Sequence, residues 1–139
     1  MTTNPMWLTE HDYNRLRHLL VQLTRESRTM HAGMETLEEI LDLARIVRPE
    51  AVPQNVVTMN SRVLFQDTGT GEKESVVIVY PSEADASDGK ISVLSPVGAA
   101  MLGLEEGAEA ELPLPRGETR RIRIVEVLYQ PEAEGHYAL

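Results

Sequence analysis

The sequence predicts an α+β fold: a short antiparallel helical hairpin (a coiled coil) over residues 1–50, then an antiparallel sheet with one short helix over residues 51–139. Three observations carry that reading. Up to about residue 48, apolar residues recur at steps of three and four. Beyond it, β-branched runs separated by turn residues take over. A Ser-Pro pair then opens one short apolar segment, at Ser95-Pro96.

In the first half, Leu8, Tyr13, Leu16, Leu19, Leu20 and Leu23 share one helical face. Thr9, followed three residues later by Asp12, resembles a capping box and places the helix start there. Leu37, Ile40, Leu41, Ala44 and Val47 repeat the pattern. The residue before a proline disfavours helical backbone, so this second helix is expected to stop at Arg48, before Pro49. The polar stretch from Arg25 to Gly33 reads as the turn between two antiparallel helices.

In the second half, Val56-Val57 and Val63-Leu64-Phe65 frame a strand, and Glu74 to Tyr80 is a β-branched run. Asp67-Thr68-Gly69-Thr70-Gly71 between them predicts a hairpin turn. A polar loop over residues 84–89 precedes Ile91-Ser92-Val93-Leu94. Ser95 is expected as an N-cap, Pro96 as the first helical residue and Gly103 as the stop, with Met101 and Leu102 in the core. Two further strands follow, at 108–114 and 120–129. In the last, Ile122, Ile124, Glu126 and Leu128 alternate with Arg121, Arg123, Val125 and Val127.

The chain has 139 residues, 42% of them hydrophobic, with 13 basic and 22 acidic side chains and a net charge of −9. A soluble globular protein follows from that balance, and there is no apolar run long enough to span a membrane. The N-terminus lacks the apolar core of a secretory signal, so a cytoplasmic protein is expected. Without Cys there is no disulfide, thiolate metal site or cysteine nucleophile. Residues 1–48 carry six basic and seven acidic side chains; residues 49–139 carry seven and fifteen. Only Arg116, Arg120, Arg121 and Arg123 cluster, among Glu118 and Glu126, which argues against direct DNA binding through phosphates.

The residues do not assemble catalytic machinery. His11 and His18, seven apart on the first helix, read as solvated surface histidines, and two imidazoles without a third ligand make no metal site. His136 has no evident triad partners. Neither a dinucleotide fingerprint nor a P-loop is present. Glu35, Glu38 and Glu39 open the second helix, where negative charge suits the dipole. No cofactor or metal is implied, and the expectation is a protein that is not an enzyme.

Three strings carry a resemblance: Val57-Thr58-Met59-Asn60-Ser61-Arg62-Val63, Ser95-Pro96-Val97-Gly98-Ala99-Ala100-Met101-Leu102-Gly103-Leu104, and Tyr129-Gln130-Pro131-Glu132-Ala133. Together they resemble the Rnk regulators of nucleoside diphosphate kinase, and the middle string resembles the signature of the C-terminal domain of the Gre transcript-cleavage factors. The resemblance implies an FKBP-like C-terminal domain that docks at the rim of the secondary channel of bacterial RNA polymerase, and a coiled coil that enters the channel. It places the docking contact on Ser95, Pro96 and Val97 and the hairpin tip around Glu26, Arg28, His31, Glu35 and Glu38.

A tip that stimulates RNA cleavage must supply oxygen ligands to a catalytic metal and must reach it. Here Arg25, Arg28 and His31 dilute the acidic residues, and the arms are shorter than those of Gre factors. The expectation is therefore a channel-entrance regulator that competes with Gre factors without cleavage. Two alternatives are a cleavage-stimulating elongation factor and an FKBP-like peptidyl-prolyl isomerase. The second needs an aromatic-walled pocket, for which this half supplies only Phe65, Tyr80, Tyr129 and Tyr137.

Overall fold

A computed structural model describes residues 6–26, 32–113 and 117–136. The first strand, β1 (Trp7–Thr9), leads directly into helix α1 (Glu10–Glu26). The Thr9 hydroxyl oxygen accepts from the Asp12 N–H at 3.0 Å, so the cap expected there is formed. Helix α2 (Ala32–Leu43) follows, and Arg17 in the middle of α1 reaches Asp42 near the end of α2 at 3.4 Å. The two helices therefore run back past each other.

The second helix stops short of the expected Arg48. Arg45–Val47 instead form strand β2, paired parallel to β1 with Trp7 opposite Arg45 and Thr9 opposite Val47. The apolar spacing of Ala44 and Val47 suits a helix, but β1 offers free backbone groups, and the Arg45 N–H donates to the Met6 carbonyl at 2.8 Å. Leu8 likewise belongs to the strand, not the helix, and is fully buried there.

Strands β3 (Arg62–Asp67), β4 (Lys73–Val79), β5 (Lys90–Ser92), β6 (Glu109–Pro113) and β7 (Thr119–Tyr129) form a curled sheet in the order β5-β4-β3-β7-β6. β3 and β4 are the expected hairpin; in its turn, Asp67 accepts from the Gly69 and Thr70 N–H groups at 2.8 and 3.2 Å. Val56 and Val57 lie outside it: Val56 makes an isolated bridge to Glu105, and Asn60 takes a left-handed turn at φ 66 before β3 begins.

The sheet is not purely antiparallel, because β5 pairs parallel with β4. The connection over residues 80–89, with its two 3-10 turns, carries the chain back beside Val77 in the last part of β4 before it pairs, which a tight hairpin cannot do. β7 is long and interrupted: its register against β3 skips at Leu128 and at Val125. Those bulges turn Ile122, Ile124 and then Val127 toward the core, and leave Leu128 45% exposed.

Helix α3 (Pro96–Met101) packs on the inner face of the sheet. One contiguous core joins Val63, Phe65, Ile78 and Ile124 of the sheet to Met101 and Leu102, and extends to Leu16, Leu37 and Ile40 of α1 and α2. Burial of this kind supplies the main favourable term for folding. Gly103 closes α3 at φ +84, and a Cβ there would lie 3.1 Å from the Trp7 carbonyl oxygen. Glycine thus lets β1 pass close, and the Trp7 N–H donates to Gly103 O at 2.9 Å.

Candidate docking face and the buried joint

Ser95, Pro96 and Val97 form a platform built by local chemistry. The Ser95 hydroxyl donates to the Ser92 carbonyl at 2.7 Å and accepts from the Gly98 N–H at 3.1 Å. The Leu94 N–H donates to the Ser92 hydroxyl at 3.0 Å, so Ser92 holds the turn from two sides. Gly98 has no room for a side chain, since a Cβ would collide with the Ser92 carbonyl oxygen. Pro96 is exposed, while Ser95 and Val97 are half-buried.

Pro96 also lines an apolar groove of about 290 Å³ between α2, α3 and β6. Ile40 and Leu43 of α2 form one wall, Ala99 and Ala100 of α3 another, and Glu39 and Glu111 are acidic lining residues. Leu43 is 69% exposed, a large apolar side chain left in water at the end of a helix. The small alanines keep the groove open. The groove can take an apolar side chain or helix edge of a partner, with the Glu39 carboxylate placed for a basic residue and Glu111 already held by Arg121.

The expected tip residues do not gather at this face. Glu26 ends α1 and is exposed; Glu35 is exposed in the first turn of α2, and Glu38 is half-exposed one turn on. Arg28 and His31 lie outside the described residues. Among the described residues, no three His, Asp or Glu side chains are grouped to hold a metal ion. Nor is any helix there long and apolar enough to cross a membrane.

Sequence reasoning missed a polar joint where α1 meets the chain's C-terminal region. Asp12 is 1% exposed and accepts from the Met59 N–H at 3.1 Å. Ser61 accepts from the Thr58 N–H at 3.0 Å, and the Ser61 and Thr58 hydroxyls are 2.7 Å apart. Thr58 in turn donates to Glu132 at 2.7 Å. The Gln130 amide donates to the carbonyls of Pro53 and Val56 at 2.8 and 2.9 Å. The first and third strings of the sequence thus meet in space. Their signal was a set of polar residues inside otherwise apolar strings, which could not say what they would face.

Burial pushes the Asp12 carboxyl up to about 7, with the nearby Glu132 charge adding to the rise; the Met59 N–H, Arg15 and the Thr9 side chain oppose it. Burial likewise raises Glu132, against the Thr58 hydroxyl and His11, which favour its charged form. Tyr80 is pushed up by burial and by the charge of Asp12. His11 is not the solvated histidine expected: it is half-buried, and its Nε2 is shielded from water without a partner among the described residues.

Residues 52–129 match the family model described as the C-terminal domain of the transcription elongation factors GreA/GreB. The chain is 43% identical over 112 residues to the Regulator of nucleoside diphosphate kinase of Escherichia coli K12, covering 78% of this chain and 82% of that protein. To the transcription elongation factor GreA of Syntrophobacter fumaroxidans it is 36% identical over 107 residues, covering 76% of this chain and 68% of that one. Among solved structures, a prokaryotic GreA/GreB elongation factor from Nitrosomonas europaea superposes with a TM-score of 0.72 at 41% identity. That match covers 91% of this chain and all of the other. These relatives are named regulators and elongation factors, not enzymes. With its C-terminal residues matched by the GreA/GreB model and most of its length matched by a nucleoside diphosphate kinase regulator, the chain belongs to the Gre-related family of transcription regulators.

Proposed function

We propose that this protein is a non-enzymatic regulator that binds bacterial RNA polymerase near its secondary channel and competes there with Gre factors, altering nucleoside diphosphate kinase levels through transcription. The observation that carries the reading is the Ser95, Pro96 and Val97 platform, held by its cap and opening onto the apolar groove beside Leu43. In this reading residues 51–139 form an FKBP-like docking unit, and residues 1–50 form a short coiled coil that enters the channel mouth. Helix α1 has 17 residues and α2 has 12. At about 1.5 Å per residue these are arms of roughly 26 and 18 Å, too short to serve a deep catalytic centre. Family membership supports the partner; the mixed charge around Glu26, Arg28, His31, Glu35 and Glu38 supports a tip idle in cleavage.

The test is binding to purified RNA polymerase core, with a Gre factor as competitor and cleavage of backtracked RNA followed in parallel. Competition without cleavage is expected. Replacing exposed Pro96 by glutamate should weaken binding at least severalfold, and unchanged affinity removes the platform from the interface. Stimulated cleavage that is lost when Glu35 and Glu38 become lysine would replace this reading with that of a cleavage factor.

A further inference from the structure

The polymerase reading makes no use of the buried joint, whose unmet polar groups are its most unusual feature. Asp12 satisfies one carboxyl oxygen with the Met59 N–H, but the other, Oδ1, is buried without a partner among the described residues. The Tyr80 hydroxyl and His11 Nε2 are in the same condition. Glu132, 9% exposed, supplies a second carboxyl to the region and spends one oxygen on Thr58. The charged groups that act on Asp12 are Arg15 on α1 and Glu132 in the turn after β7; Tyr80, after β4, feels the charge of Asp12 and of Glu83, and His11 on α1 acts on Glu132. Arg15 is drawn toward the Tyr80 ring, its guanidinium 4.0 Å from the ring centre.

We propose that this joint is a proton-dependent latch: with Asp12 neutral, the start of α1 is locked onto the Met59 loop and the Glu132 turn, and ionisation of Asp12 loosens it. A buried carboxylate with one bare oxygen, facing a second carboxyl, loses much of its hydration and is repelled; a neutral acid avoids both penalties. Opening the joint rehydrates the charge. Because α1 carries one arm of the hairpin, loosening changes how that arm is held relative to the docking platform. The latch does not depend on the identity of the partner.

The sign follows from linkage. Closed, Asp12 titrates at about 7; exposed, at its ordinary 3.8. The closed joint therefore binds the proton more tightly, and its advantage falls as pH rises through that interval, then levels off. Amide hydrogen exchange on the full-length protein reads this directly at Met59 N–H, once the intrinsic pH dependence of exchange is divided out. Protection at pH 5 is expected to exceed that at pH 8 by roughly eighty- to ninetyfold, with the change levelling off above 7. Asp12→Asn keeps a carbonyl oxygen for Met59 and should flatten the profile. Glu132→Gln removes the second charge and should move the midpoint to lower pH. A flat parental profile overturns the latch, as does an Asp12→Asn profile that keeps the parental slope. Should Asp12→Asn fail to fold, the Glu132→Gln protein decides, and an unmoved midpoint there overturns it.

Discussion

Ionisable groups on the outer sheet and at the root of α1 are handled in opposite ways. Across β6 and β7, Arg121 reaches Glu111 at 2.9 Å and Arg123 reaches Glu109 at 3.3 Å, with both arginine side chains about half exposed. At the root, Asp12 and Glu132 lie inside the protein, and each takes a hydrogen bond from a neutral donor. Water already solvates the first set, so the ion pairs add little to stability. The second set has been taken from water, so each hydrogen bond must be kept or the desolvation cost is felt in full. Ionisable groups can thus matter very differently according to where they lie.

The comparison can be broken most forcefully where the two halves share apolar core. Leu16 on α1 is fully buried in the cluster that also holds Met59 and Ile124. Leu16→Ala should cost about 2–5 kcal/mol in a denaturant titration; a smaller loss would mean that the helices and the sheet do not share one core. Next, Thr58→Val removes the donor to Glu132 while nearly keeping shape. It leaves a buried carboxyl oxygen bare, with an expected loss of about 1–3 kcal/mol, measured at pH 7. A loss below that range would place Glu132 in contact with water.

A smaller effect belongs to the platform. Ser95→Ala deletes the N-cap of α3 and should cost about 1 kcal/mol. The same substitution frays the turn that presents Pro96, so binding to polymerase should fall with it; normal binding at reduced stability would separate scaffold from contact. The smallest effect is expected on the sheet. Arg121→Ala should change stability by no more than about 0.5 kcal/mol, and added salt should change the parent equally little. A larger loss would mean that the exposed ladder acts as a network.

Some elements were legible because their partners lie nearby in the chain. The cap from Ser95 to Gly98, the Asp67 turn and the Thr9 cap all close within three residues, so residue type at short spacing was enough. Arg45–Val47 misled because the spacing of Ala44 and Val47 fits a helix, while the competing hydrogen bonds come from β1, which precedes α1 and is far away in the chain. The groove was legible only in part. Pro96 could be singled out, but Leu43 and Ala110 reach the same wall from separate elements.

What the sequence alone determined was the local chemistry: an α+β order, one capped short helix, one hairpin turn and an acidic surface. The tertiary structure decided the parallel placement of β5, the closing of β1 on β2, and the environment of Asp12. Asp12 and Met59 are 47 residues apart, and Thr58 and Glu132 are 74 apart. Propensity and spacing act over a few residues, whereas the cost of removing a charge from water depends on everything packed around it.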